Sequence, residues 1–248
     1  MESHLPQDAT DLYSLNECRV QICSVSRKIL AMCWMRAAPI SRVNTMKKST
    51  AATATAIDEQ GAPSVRERIL ETATTLFYQE GVRAVGVDLV VERSGVAKTS
   101  LYRHFATKDD LVVAFLERED AEYWSDWERV AAQEKEDADA ELQAHLRWIA
   151  RHIAGPKYRG CPFLNVATEF PAPTHPARAV ATRHKIELHR RLGVLAKKVG
   201  TRKPDQLADQ LVLLIDGAYM NGQLLGKKGP MHSLVAAGLS LILAAQRR

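Results

Sequence analysis

The side chains best suited to an anionic partner lie close together within residues 86–108. Basic and hydroxyl groups dominate the second half of this segment: Lys98, Thr99, Ser100, Tyr102, Arg103, His104 and Lys108. From Arg93 to Lys108 there are four Lys or Arg residues, one His and no acid, although acids resume on both sides. Cationic groups neutralise phosphates, while hydroxyl and guanidinium groups hydrogen-bond to phosphates and base edges. The segment therefore predicts a contact with nucleic acid.

Two short helices and a tight turn are predicted to position these side chains. A Ser-Gly-Val turn at residues 94–96 separates a helix near residues 88–93 from a second helix over residues 97–104. This is the helix-turn-helix pattern. The residues that would lock the two helices together are apolar: Leu89, Val90, Val96, Leu101 and Phe105. The second helix is too short to be stable alone, so packing must hold one face and leave the other free.

An ordinary helical hairpin with a solvated basic face is the alternative interpretation of this segment. Short charged helices are common, so charge alone does not separate the two interpretations. The turn residue Gly95, the apolar lock and the phosphate-ready face occur in the order that a DNA-reading helix pair requires. Their combination favours DNA binding.

The rest of the chain from Ser64 onward predicts nine helices and an all-α fold. Ser64 and Glu67 have the spacing of a reciprocal capping box, and Thr107 is expected to cap a long helix. Pro204 and Pro230 are expected to open the last two helices, which are also the most apolar.

Residues 65–111 closely resemble the DNA-binding domain of TetR/AcrR-family regulators. The match is strongest from Gly95-Val96, through the run Leu101-Tyr102-Arg103-His104-Phe105, to Lys108. The resemblance implies an N-terminal three-helix helix-turn-helix domain and a larger C-terminal helical domain for ligand binding and dimerisation. It also implies a homodimer in which the last two helices of each subunit form a four-helix interface.

The resemblance also implies a role for each DNA-contacting side chain. Three are expected to hold phosphates: Tyr102, His104 and Lys108. Four are expected to face the major groove: Lys98, Thr99, Ser100 and Arg103. The chain departs from the family pattern at Gly86 and Ala97, where Thr and Ser are usual, so both helices of the motif lose a side-chain cap.

Three segments are expected along the chain. Residues 1–62 form an extension without sustained periodicity, expected to be largely disordered or to lie partly before an internal start at Met35 or Met46. Residues 63–110 form the helix-turn-helix domain. Residues 111–248 form the ligand-binding and dimerisation domain.

The C-terminal segment contains side chains suited to a mostly apolar ligand pocket with a few polar anchors. The candidates are Trp148, Cys161, Phe163, Asn165, Glu169 and Tyr219. Packing in the core is the alternative role for the aromatic members. The expected ligand is a small apolar effector that releases a repressor from a palindromic operator in double-stranded DNA. An activator is the alternative.

Motifs of other function classes are missing from the sequence. It has no GxSxG or HExxH motif and no Gly-rich phosphate loop, so we expect no catalytic residue, no metal site and no cofactor. A redox-responsive regulator using Cys161, an enzyme using the same thiol, and a protein-interaction scaffold remain as alternatives. Four cysteines without a CxxC pair, and no apolar run of the ~20 residues that a membrane helix needs, indicate a cytoplasmic protein.

Overall fold

Helices account for the regular secondary structure of this protein wherever its chain can be described. The computed structural model describes residues 63–134 and 137–246, and these ranges contain nine α-helices and two 3₁₀ turns. The predicted all-α fold is therefore confirmed. The predicted extension, residues 1–62, lies outside the described residues.

Three helices form the amino-terminal part: α1 (Val65–Glu80), α2 (Val87–Ser94) and α3 (Lys98–His104). The Ser64 side chain caps α1, because its Oγ accepts a hydrogen bond from the Glu67 amide at 3.2 Å. The predicted return bond from Glu67 is wrong. Both carboxylate oxygens of Glu67 instead accept from Arg118 at 2.6 Å, which ties α1 to the helix that follows the motif.

The long helix α4 (Lys108–Ala131) connects the two parts of the molecule. Thr107 caps it as predicted, in a complete capping box with Asp110. The first turns of α4 pack on α1, where the rings of Phe77 and Phe115 meet edge to face with centroids 5.8 Å apart. The domain boundary predicted after residue 110 therefore falls inside the first turn of a continuous helix.

Five further helices form the carboxy-terminal part: α5 (Ala138–Ile153), α6 (Pro162–Glu169), α7 (Pro176–Lys198), α8 (Pro204–Leu225) and α9 (Leu234–Gln246). Helix α7 packs along α4, α6 and α8, while α9 lies against α5 and α8. Gly222 and Gly238 allow the last two helices to approach α5 closely. A Cβ atom added at Gly222 would lie 2.2 Å from Ile153 Cγ2, and one added at Gly238 would lie 2.4 Å from Leu146 Cδ1.

The two prolines expected to open helices behave differently. Pro204 occupies the first position of α8, as predicted. The prediction for Pro230 is wrong, because it opens a 3₁₀ turn, Pro230–Ser233, and α9 begins only at Leu234. The fixed φ and missing N–H of proline suit the first position of either helix type, so the residue alone cannot distinguish them.

Candidate nucleic-acid interface and ligand cavity

Helix α3 has one buried apolar face and one exposed polar face. Leu101 and Phe105 are buried against the core together with Val90 of α2. The exposed side chains include five of the seven predicted DNA contacts: Lys98, Thr99, Tyr102, Arg103 and His104. Ser100 and Lys108, the other two, are half-buried. The packing therefore leaves a row of basic and hydroxyl groups facing solvent.

Arg68 of α1 holds the turn between α2 and α3, a contact that sequence reasoning missed. Its Nη2 donates to the carbonyl of Ser94 at 2.8 Å and to that of Gly95 at 3.3 Å. Carbonyls at a helix end lack partners within the helix, so this guanidinium satisfies groups left open by the turn. Gly95 itself has a φ of 65°, a left-handed conformation that favours glycine. The contact spans 26 positions, so no local periodicity could reveal it.

Lys98 is paired with an acid of the preceding helix. Its Nζ lies 2.6 Å from Asp88 Oδ1, and both side chains are exposed. The hydrogen bond and the charge of Asp88 raise the pKa of Lys98, so the ammonium is charged at neutral pH. A base-edge acceptor that approaches Lys98 must compete with the Asp88 carboxylate.

Lys108 begins α4 and points to the loop between α1 and α2. Its Nζ donates to the Val82 carbonyl at 2.7 Å. Desolvation by burial lowers the pKa of Lys108, with nearby Glu169 and Asp109 opposing the shift. An ammonium has three donors, so two remain for a phosphate while the third anchors the loop.

A cavity of about 110 Å³ lies among the helices of the carboxy-terminal part. Four of the six predicted ligand residues line it: Trp148, Cys161, Phe163 and Tyr219. The lining residues that sequence reasoning missed are Glu119, Glu122, Tyr123, Asp126, Pro162, His152 and His184. Four of these recur at helical spacing along α4, so a helical-face analysis of that segment could have found them.

Burial shifts the pKa of the histidine, cysteine and tyrosine side chains around this cavity. It lowers the pKa of His152 and of His184, although the Asp120 carboxylate lies 2.8 Å from His184 Nδ1 and opposes the shift. It raises the pKa of Cys161 and of Tyr219. At neutral pH the imidazoles are therefore neutral and the thiol is protonated. Because the thiolate is the reactive form, this environment weighs against the redox and nucleophilic alternatives for Cys161.

The other two predicted ligand residues lie elsewhere. Glu169, at the end of α6, accepts hydrogen bonds from the amides of Val82 at 3.2 Å and Arg83 at 2.7 Å. Asn165 donates from Nδ2 to the Arg159 carbonyl at 2.9 Å. Neither residue lines the cavity. Glu169 instead joins the carboxy-terminal part to the loop between α1 and α2, a long-range pairing without a local sequence signal.

A second, more open groove of about 380 Å³ runs between α6 and α7. It shares Phe163 with the cavity, and its polar lining includes Arg178, Lys185 and His189. No other predicted ligand residue lines this groove. The predicted pocket residues therefore point to the smaller, less open cavity.

The two described ranges contain no candidate metal site and no candidate membrane-spanning helix. No group of three or more His, Cys, Asp or Glu side chains there has an arrangement that could hold a metal ion. None of the helices in these ranges combines the length and hydropathy needed to cross a membrane.

Sequence comparison matches the amino-terminal helices to a known family. Residues 69–115 match the family described as "Bacterial regulatory proteins, tetR family". The chain is 40% identical over 53 residues to the HTH-type transcriptional activator FasR of Mycolicibacterium smegmatis, a match covering 21% of this chain and 24% of the relative. It is 36% identical over 55 residues to the HTH-type transcriptional repressor KstR2 of Rhodococcus jostii, covering 22% and 27%. These matches span about a quarter of each curated relative.

Structural comparison extends the similarity to both parts of the molecule. A TetR-family transcriptional regulator from Streptomyces coelicolor superposes with a TM-score of 0.67 and 32% sequence identity. The alignment covers 74% of this chain and 94% of the Streptomyces chain. The similarity therefore includes the carboxy-terminal helices as well as the helix-turn-helix.

Proposed function

The chain belongs to the TetR family of bacterial transcriptional regulators, and from this premise we propose that it is a repressor released from its operator by a small molecule. DNA binding and transcriptional regulation follow from the family itself. The observation that carries the proposal is the division of α3 into a buried apolar face and an exposed polar face. Its apolar face is locked in the core and Arg68 braces the turn before it, while its basic and hydroxyl face meets solvent. Such a face is suited to the major groove of DNA.

Two different kinds of DNA contact are proposed within this face. Phosphates would be held by Tyr102, His104 and Lys108. Base edges would be read by Lys98, Thr99, Ser100 and Arg103, of which Arg103 can bind a guanine through two hydrogen bonds. Phosphate contacts supply affinity on any sequence, whereas contacts to bases supply specificity.

We propose that the protein acts as a homodimer joined through α8 and α9. Large apolar side chains are exposed on these helices, among them Leu213, Leu224 and Leu243. Helix α9 carries no charged residue from Leu234 to Gln246, yet only Leu234, Gly238 and Ile242 are buried within the single chain. A two-fold dimer would read a palindromic operator, with half-sites about 34–36 Å apart or a multiple of that spacing.

Helix α6 offers a connection between the cavity and the DNA-binding helices. Its first residues, Pro162 and Phe163, line the cavity, while its last residue, Glu169, holds the backbone after α1. An effector that favours a shifted α6 would change how α1 to α3 are held. The coupling requires only that the effector binds the two states with different affinity.

The other roles considered are distinguished by simple outcomes. The names of the relatives include both an activator and a repressor, so the direction of regulation must be measured. A protein-interaction scaffold would give no sharp operator footprint. We also propose that the protein is not an enzyme and has neither a catalytic residue nor a cofactor. It would act in the cytoplasm, where the DNA is.

Fluorescence anisotropy tests the proposal directly. The protein is titrated onto the DNA upstream of its own gene and onto a scrambled fragment, over a series of salt concentrations. Tight, salt-sensitive binding that prefers the upstream fragment is expected. Run-off transcription from that fragment should then fall as the protein is added. Equal weak binding to both fragments, followed by failure to select any site from random DNA, would contradict the proposal.

A further inference from the structure

The formally charged side chains that line the cavity of about 110 Å³ are all acidic. Glu119, Glu122 and Asp126 of α4 line it, and no Lys or Arg is among the described residues that do so. These three positions follow each other at helical spacing, so they lie along one side of α4. The cavity therefore has a negative wall.

Neighbouring cations only partly offset this wall. Asp126 is paired with Arg129, and Glu119 also has an interaction partner within the described structure. Glu122 is exposed and forms no hydrogen bond or ion pair with the residues that the structure describes. Lys185 lies 5.9 Å from the ring of Tyr219, but its ammonium is paired with Asp216. The cavity's histidines add no charge at neutral pH, because burial lowers the pKa of both His152 and His184.

Aromatic rings supply the remaining walls. Tyr123, Trp148, Phe163 and Tyr219 all line the cavity, and the rings of Tyr123 and Trp148 are 4.9 Å apart. The face of an aromatic ring carries partial negative charge and attracts cations. The aromatic faces and the carboxylates of the cavity therefore both favour a positively charged ligand.

One buried hydroxyl of the cavity has only a weak hydrogen-bond partner. The Tyr123 hydroxyl is buried and makes no hydrogen bond of normal geometry, although Tyr219 lies nearby. A buried polar group without a hydrogen bond of good geometry costs free energy. A ligand atom in the cavity could satisfy it.

We propose that this cavity binds a small organic cation, in which an ammonium group is joined to an apolar body about the size of one aromatic ring. The charge distinguishes this ligand from the apolar effector expected from the sequence, because the acidic lining favours a cation. The ammonium would lie toward Glu122 and Asp126, with the apolar body between the aromatic side chains. The cavity volume of about 110 Å³ sets the size, because sites for drug-sized ligands are typically about 300–1,000 Å³. The role of this ligand as effector rests on the proposed regulatory function, whereas its binding does not.

Three probes of similar shape and different charge test the inference: benzylammonium, benzyl alcohol and benzoate. Each is titrated by calorimetry into the full-length protein at pH 7 without DNA. Benzylammonium is expected to bind about tenfold or more tightly than benzyl alcohol, and benzoate more weakly than either. Equal binding of the first two probes, tighter binding of benzoate, or no binding of benzylammonium would overturn the inference.

Two matched variants locate the binding site. Glu122→Gln removes one charge from the cavity wall and should weaken benzylammonium about three- to tenfold, with benzyl alcohol unchanged. Glu117→Gln makes the same change on an exposed part of α4 outside the cavity and should leave both affinities unchanged. If both variants lost the same affinity for benzylammonium, the effect of charge would not arise in the cavity. That result would overturn the assignment of the binding site to the cavity.

The role of the cavity ligand as an effector is tested separately from its binding in the cavity. Benzylammonium is added to the protein bound to its operator, and release is followed by anisotropy. Binding in the cavity without release would uphold the site and remove the effector assignment. Intact operator binding combined with no affinity for benzylammonium would overturn the cavity inference and leave the DNA-binding regulator standing.

Discussion

Arg103 and Lys108 carry the same charge, but the structure holds them in different ways. Arg103 is exposed on α3, whereas the Lys108 ammonium is anchored on the Val82 carbonyl. A free guanidinium can align two donors with a guanine, while an anchored ammonium presents a fixed point charge to the DNA backbone. The two residues should therefore contribute differently to specificity and to affinity.

Replacing Arg103 with alanine should relax sequence preference at one base pair of each half-site. Loss of a bidentate base contact typically removes about 1–3 kcal/mol of discrimination. The measurement is binding of the wild type and Arg103→Ala to a set of operators that carry every base at each position. An unchanged sequence preference in Arg103→Ala would show that Arg103 does not read a base.

Lys108→Ala is the matched control, because it also removes one positive charge. It should weaken binding to all sequences alike and reduce the slope of log affinity against log salt by about one. Preference among the operator variants should stay the same. A sequence-selective loss in Lys108→Ala would contradict its assignment to a phosphate.

The free energy of unfolding should depend on pH partly through the buried imidazole of His145. Its ring stacks on Trp127 with centroids 3.5 Å apart, and burial lowers its pKa to about 3. The unfolded chain takes up the proton near pH 6.5, whereas the native state does not until far lower pH. The contribution of the neutral His145 side chain to stability is therefore fully present above the unfolded pKa of about 6.5. It is lost as the pH falls below that value, by about 1.4 kcal/mol per pH unit for one proton.

Urea unfolding at pH 7.5 and pH 5 measures this contribution. The variant His145→Phe keeps an aromatic ring beside Trp127 but cannot titrate. The difference in unfolding free energy between the two pH values should shrink by about 2 kcal/mol in the variant. The same difference in both proteins would mean that His145 is protonated in the folded state.

At the scale of elements, α6 links the two parts of the molecule through Glu169. Glu169→Gln keeps the shape of the side chain, but the two amides of Val82 and Arg83 donate to different carboxylate oxygens and glutamine has only one acceptor oxygen. The variant therefore loses one of the two bonds as well as the charge that strengthens the other. Hydrogen exchange at these two amides should become faster, and the free energy of unfolding should fall by about 1 kcal/mol. Exchange-resolved mass spectrometry and urea unfolding provide the two measurements.

Glu80→Gln serves as the control for this contact, since it makes the same change at the exposed end of α1. It should alter neither amide exchange nor stability, because Glu80 has no hydrogen bond or ion pair within the described structure. Similar effects in the two variants would indicate a general change of charge rather than loss of the contact made by Glu169.

The sequence predicted the helices well wherever their boundaries depend on nearby residues. Thr107 has its capping partner three positions away, and the prediction of that cap was confirmed. The interpretation of Glu67 was wrong because Arg118, a residue 51 positions away, holds its carboxylate. The apolar side chains of the cavity could be predicted as inward-facing, but the contact between Glu169 and the loop after α1 depends on how the helices pack. Local periodicity carries no information about that packing.

At the scale of the whole molecule, α8 and α9 leave apolar surface that a single chain does not cover. Leu213 is 73% exposed and Leu224 is 72% exposed, and their spacing places both on one face of α8. Exposed apolar area of this kind is typical of an interaction surface. A dimer formed there would join two copies of α3 in one DNA-binding unit.

Introducing a charge at Leu213 should dissociate the proposed dimer and weaken operator binding with it. In Leu213→Glu, a two-fold interface would bring two carboxylates into an apolar contact without partners, a costly arrangement. Sedimentation velocity should show a monomer at concentrations where the wild type is a dimer. Affinity for the full palindrome should fall far more than affinity for a single half-site, because the second α3 is no longer held in place.

Ile186→Glu is the matched control, since Ile186 is 63% exposed but belongs to α7. It should stay dimeric and keep its affinity for the palindrome. If Ile186→Glu became monomeric while Leu213→Glu did not, the interface would lie on α7 and the proposed pairing of α8 with α9 would be wrong.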